Sequence, residues 1–262
     1  MTEYREILCS KDPGGRITRL TLNRPDKRNP IGPVTLGELV HALEAARDDA
    51  SVRVIIITGA GNFFSAGGDL AQMAGVPGSG PAIKPATFRE LNLLLTQLGK
   101  PTIAMVNGPA LAGGLGVMVA CDLAIAADDA TFATPEINVG LWPMMIMANI
   151  FRNVPRKQAM ELIMTGDKVD AATALRMGLC TRIVPRAELE AATMALAEKL
   201  ADKAPTTMRL GLTAFYETQD LPITDQLARL EAGLMQVLGT DDAREGISAF
   251  VQKRKPNWTQ PK

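Results

Sequence analysis

Between Pro101 and Cys121 the chain carries no charged residue. A stretch of about this length can span a membrane, but its middle reads Asn107-Gly108-Pro109 and then Gly113-Gly114. Such residues break helices, and a broken backbone in lipid leaves N–H and C=O groups unpaired. The stretch is therefore read as a buried strand over Thr102–Val106, a tight turn, and a buried helix of small and apolar residues. That places it inside a soluble protein, with no membrane as partner.

The remaining periodicity fits an α/β core followed by a helical section. Ile17–Leu22 alternates like a half-buried strand, and Asp12-Pro13-Gly14-Gly15 before it suits a hairpin turn. Leu36–Asp48 has helical spacing, with Leu36, Leu39, Val40 and Leu43 on one face. Val52–Thr58 and Leu123–Ala127 are short apolar runs of the kind that form buried strands. From Pro155 onward helices dominate, through Arg186–Lys203, Leu221–Leu238 and Asp241–Lys253. The segment 74–85 is the only flexible-looking stretch and suits either a lid or an ordinary surface loop.

Several function classes drop out. Twenty-eight basic residues balance twenty-eight acidic ones, so no nucleic-acid partner is expected. Three scattered cysteines (Cys9, Cys121 and Cys180) make no CxxC pair, which argues against a zinc site or a disulfide framework and fits a reducing cytoplasm. The N-terminus has no apolar secretory stretch. Gly108 to Gly113 has phosphate-loop spacing, but Gly114 stands where lysine is needed. The single histidine, His41, lies on an amphipathic helix as a surface or satisfied residue, so triads and histidine-rich metal sites are not expected.

Two glycine-rich turns remain, each directly after an apolar strand: Phe64-Ser65-Ala66-Gly67-Gly68-Asp69-Leu70 and Val106 to Gly116. Chemistry beside a thioester carbonyl builds charge on oxygen as an enolate forms, and two aimed backbone N–H groups stabilise it. Glycine permits the close approach, and a helix N-terminus adds its dipole. The same glycines equally suit plain strand-to-helix turns.

These turns, with Leu22-Asn23-Arg24-Pro25-Asp26-Lys27-Arg28-Asn29, Asp122, Thr134 to Gly140 and Phe250 to Pro256, resemble the crotonase, or enoyl-CoA hydratase/isomerase, family. The resemblance implies a spiral of ββα units over residues 1–195 and a helical region over 196–262 that builds trimers or paired trimers. It implies an acyl-CoA thioester substrate and no cofactor beyond the coenzyme A within it. The oxyanion-hole amides would come from Gly68 and Gly113. The backbone around Ala66 and Leu70 would hold the adenine, with Asp69 at the same site or simply stabilising the turn. Lys27, Arg28 and Lys253 would meet the nucleotide phosphates, or are merely solvated.

Glu136 matches the glutamate with which the family moves a proton at the substrate's α or γ carbon, and its neighbours are mostly apolar. Burial there is expected to raise its pKa. Hydratases of the family carry a second glutamate where this chain has Gly116. Three readings follow: Glu136 acts alone as an isomerase base, another carboxylate substitutes, or hydration is slow or absent. Decarboxylation and non-catalytic binding of CoA thioesters or RNA are further alternatives within the family. Val139 to Met147, including Trp142, is bulky and apolar and suits an acyl pocket or plain packing.

Overall fold

The hairpin expected at Asp12–Gly15 joins β1 (Ile7–Lys11) to β2 (Ile17–Leu22) in a computed structural model that describes residues 3–73 and 83–258. Asp12 ties this turn by accepting from the Gly14 and Ile17 amides. From β2 onward one motif repeats: a long strand, a very short strand and a helix. β2 leads to β3 (Pro30–Ile31) and α1 (Pro33–Asp48). β4 (Val54–Gly59) leads to β5 (Gly67–Gly68), the one-turn α2 (Leu70–Met73) and α3 (Phe88–Gln97). β6 (Thr102–Val106) leads to β7 (Ala110–Leu111) and α4 (Gly113–Ala120). β8 (Leu123–Ala127) leads to β9 (Thr131–Ala133), then a 3-10 helix at Pro135–Val139, α5 (Met144–Asn153) and α6 (Arg156–Thr165). The core closes with β10 (Val169–Asp170), α7 (Ala171–Met177), β11 (Arg182–Val184) and α8 (Leu189–Ala201).

The long strands build one sheet in the order β1-β2-β4-β6-β8-β11, antiparallel only between β1 and β2. The short strands pair in their own layer, β3 with β5, and β9 with β7 and β10. This is the spiral of ββα units that the resemblance implied. Every residue of β4 and of β6 is buried, as expected for parallel strands covered on both faces. Ile55 and Ile57 pack in the larger core with α1, α3 and α4, while Val54 and Ile56 face Leu189, Leu196 and Ala197 of α8.

The boundary expected at residue 195 falls inside α8, a continuous helix packed on the sheet. The section that departs from the sheet is α9 (Pro205–Thr218), α10 (Ile223–Leu238) and α11 (Asp241–Val251), three helices packed on one another. Among the described residues no helix is long and apolar enough to cross a membrane. Most of the 74–85 segment, read as a lid or surface loop, lies outside the described residues. His41 is satisfied, its Nδ1 lying 3.0 Å from the Tyr4 hydroxyl.

Candidate active site

Parallel strands deliver their following turns to one edge of the sheet, so the loops after β4 and β6 meet there. In the first turn, buried Ser65 donates its hydroxyl to Asn29 O at 2.7 Å and accepts the Gly67 amide at 3.1 Å. The Asp69 amide bonds Ile31 O of β3. Successive amides of an extended chain face opposite edges, so the Gly68 N–H points away from β3.

It points toward the second turn. A Cβ on Gly67 (φ 99°) would lie 2.5 Å from the Ala112 Cβ and 3.2 Å from Gly113 N, so only glycine fits. One on Gly113 would lie 3.6 Å from Gly68 N. The two backbones thus run against each other. Ala112, which precedes α4, has φ 47° and ψ −127°, a conformation an L-residue rarely adopts. Its amide donates to Ala133 O at 2.9 Å, which holds the strained turn onto β9. Gly113 is the first residue of α4, so its N–H has no partner within the helix. Two backbone donors are therefore brought side by side at a helix N-terminus.

The pairing of β7 with β9 also sets the third component. Glu136 lies three residues beyond Ala133, so its Cα is within about 10 Å of the backbone that bonds Ala112. The 3-10 helix that carries it starts with Pro135, and the hydroxyl of the buried Thr134 before it donates to Leu162 O of α6 at 2.9 Å. Glu136 is half-buried, and its Oε2 is buried without a hydrogen-bond partner. Burial raises its pKa above the ordinary 4.5, against a smaller lowering by its own backbone amide. It forms no salt bridge among the described residues.

The place a longer side chain at position 116 would occupy is taken. A Cβ on Gly116 would lie 2.1 Å from Cγ2 and 2.9 Å from Cβ of Ile146 on α5, and 3.6 Å from Phe88 on α3. Phe88 also lies over Gly113, its Cζ being 2.9 Å from where a Cβ would stand. Phe88 was not singled out from sequence, and Ile146 only as part of the apolar run Val139 to Met147. The helix presenting Phe88 was nevertheless signalled by Thr87-Phe88-Arg89-Glu90, which forms a capping box ahead of buried Leu91, Leu94 and Leu95.

The other expected site residues separate into groups. Asp69 is spent structurally: it pairs with Arg24 at 2.8 Å and accepts the Gln72 amide. Burial alone would raise its carboxyl, but Arg24 and the amides of α2 hold it below the usual range. Asp122 likewise takes the Thr102 amide and hydroxyl and the Tyr216 hydroxyl. Half-buried Ala66 is zipped to Arg28, whose carbonyl accepts its amide at 2.8 Å, and Lys27, Arg28 and Leu70 are exposed nearby in sequence. Lys253 follows α11, on the helical section, which packs mainly on α9 and α10. Trp142 packs against the core, its indole N–H 3.3 Å from the Met147 sulfur, whereas Leu141, Met144 and Met145 are exposed.

The family model described as Enoyl-CoA hydratase/isomerase matches residues 13–261. Mitochondrial enoyl-CoA hydratase domain-containing protein 3 of Mus musculus is 36% identical over 246 residues, 93% of this chain and 81% of that protein. The 2,3-dehydroadipyl-CoA hydratase of Escherichia coli is 34% identical over 254 residues, 97% of this chain and 98% of that protein. A crystal structure of an enoyl-CoA hydratase from Mycobacterium smegmatis has a TM-score of 0.89 at 32% identity and covers 97% of this chain and 99% of its own. A match of nearly full length in both sequence and fold makes the chain a member of the enoyl-CoA hydratase/isomerase family, whose enzymes act on CoA thioesters.

Proposed function

We propose that the protein is a CoA-thioester enzyme that holds an enolate oxygen with the Gly68 and Gly113 amides and moves protons with Glu136 alone. Shifting a double bond from the 3 to the 2 position requires only one such group. The Glu136 carboxylate takes a proton from C2, the electrons pass into a dienolate whose oxygen the two amides hold, and the carboxylic acid returns the proton to C4. Charge and atoms balance within the site, and no water enters. The observation that carries this reading is the filled position beside Gly116: Ile146 packs where the first side-chain carbon at this position would stand, with Phe88 beside it, so residue 116 supplies no second acid. The unpartnered Glu136 Oε2 supports it, because a carboxylate whose pKa burial raises is a stronger base towards a carbon-bound proton than an ordinary one.

In the bound state the backbone of Ala66 and Leu70 takes the adenine end, with Lys27, Arg28 and Lys253 available to the phosphates and Trp142 lining the acyl side. Trimeric assembly is supported by the apolar stripe Ile223, Leu227, Leu230, Leu234 and Leu238 along α10, exposed in the single chain. The three free thiols support a reducing compartment such as the cytoplasm.

A second reading, hydration, is favoured by the hydratase names of the relatives. The two separate in H₂¹⁸O. Isomerisation converts 3-enoyl-CoA into the conjugated 2-enoyl product without ¹⁸O, and Glu136→Gln lowers the rate by about 10²–10⁴. Rapid ¹⁸O incorporation from 2-enoyl-CoA, with 3-enoyl-CoA untouched, would establish hydration instead.

A further inference from the structure

The glycine turns lie beyond the C-terminal ends of β4 and β6. At the N-terminal ends of the same strands, about 16–20 Å away along the sheet, is a cavity of about 260 Å³ between the sheet edge and α8–α9. Five basic side chains line it, Arg47, Arg53, Lys100, Lys203 and Arg209, against one acid, Asp48. Its floor is apolar, with Val52, Leu200 and Met208. In a chain whose total charge is zero, this is a local excess of positive charge.

Two of the five cations are already committed. Arg47 pairs with Asp48 at 2.8 Å, and Lys100 donates to Ala46 O and Asp49 O at the end of α1. Among the described residues the other three have no ion-pair or hydrogen-bond partner for their charged groups. Arg53 is the most telling: its Nε and Nη1 are buried with no acceptor. Burial pulls its guanidinium below the ordinary value; Asp242 offsets this in part and Arg16 adds to it. Asp242, whose Oδ2 takes the Thr206 amide at 2.7 Å, acts on Arg53 through its charge and makes no hydrogen bond to it. The cavity wall is also built for this cluster. Gly99 (φ 62°) has no Cβ where the Arg209 stem crosses it, and a Cβ there would lie 2.6 Å from Arg209 Cγ. An unpaired buried cation costs stability unless something supplies the missing charge.

We propose that this cavity is a second ligand site, separate from the thioester site, that takes a small phosphate monoester with a short apolar body. A dianionic phosphate in the cavity sits in the combined field of Arg53, Lys203 and Arg209 and offers three oxygens to their reachable N–H groups, whereas a carboxylate has only two. The apolar floor takes the ester's carbon body, and a volume of about 260 Å³ suits a small ester.

The test is calorimetric titration of the intact protein with phenyl phosphate, inorganic phosphate and benzoate. Phenyl phosphate is expected to bind at one site per chain, about tenfold tighter than inorganic phosphate through burial of its ring. Benzoate is expected to bind more weakly than either. Arg53→Met and, independently, the surface variant Lys203→Gln each weaken phenyl phosphate by about tenfold or more. Both leave thioester turnover intact, and acetyl-CoA does not compete. Without ligand Arg53→Met melts at a higher temperature than the parent, because it removes a buried unpaired charge. The site is refuted if neither phosphate binds at about 10 mM, or if Lys203→Gln and Arg53→Met bind as the parent does. Displacement by acetyl-CoA also refutes it, and benzoate matching phenyl phosphate removes the phosphate assignment.

Discussion

If Ile146 occupies the space of a second catalytic side chain, the two positions must be energetically coupled. Gly116→Ala is the smallest probe. It gains about 1 kcal/mol of helix propensity in α4. Its methyl group would also sit 2.1 Å from Ile146 Cγ2, against about 3.5–4.0 Å for an unstrained carbon pair. Ile146 is 4% exposed and β-branched on a helix, so it cannot swing aside by changing rotamer. Overpacking of this kind costs about 1–3 kcal/mol, leaving a net loss of about 0–2 kcal/mol. Ile146→Ala alone empties a buried site and costs about 2–5 kcal/mol. In the double variant the new methyl group has room and partly fills the void. The loss should then fall short of the sum of the single losses by about 1–3 kcal/mol. Urea unfolding of the four proteins measures this cycle. Additivity within about 0.5 kcal/mol would show that Ile146 does not hold the space, and the argument against a water-orienting group at position 116 would fail with it.

Two further outcomes follow from the same structure. Glu136→Gln should stabilise the protein at neutral pH, because the native state holds this carboxyl at a raised pKa while the unfolded chain does not. The sign follows from proton binding: below the ordinary 4.5 both states are protonated and the two proteins differ little in this term, and the parent loses ground as pH rises through the native value. A stability difference independent of pH between 4 and 8, roughly the range spanned by ordinary and raised carboxyls, contradicts the burial argument. On α10, Leu234→Glu places a charge in the middle of the exposed apolar stripe and is expected to convert an oligomer into single chains by light scattering. An unchanged mass would remove that stripe from the assembly surface.

The spiral was legible because its parts obey local rules. Thr102–Val106 and Leu123–Ala127 are apolar on both faces and form strands with the bounds read from sequence. The helices α1, α8, α10 and α11 follow apolar spacing to within a few residues. The short strands β3, β5, β7, β9 and β10 left no such signal, since two or three residues carry no period and form only where neighbouring turns meet. Ala112 was invisible for a related reason. Nothing marks an alanine as carrying a φ of 47° until the packing of Gly67 and the bond to Ala133 force it.

The site divides in the same way, and the division bears on the reaction. Glu136, Gly68 and Gly113 could be proposed from sequence because each lies in a motif that resembles the family's. Ile146 and Phe88 come from two other helices and converge on Gly116 only through the packing of α3 and α5 against α4. Read in one dimension, Gly116 is only a missing carboxylate, and a missing carboxylate with open space around it would still admit water. The folded chain puts a β-branched side chain and an aromatic ring there. On the proposed reading this packing leaves Glu136 as the one acid, and a site so arranged would return a proton to carbon rather than add oxygen.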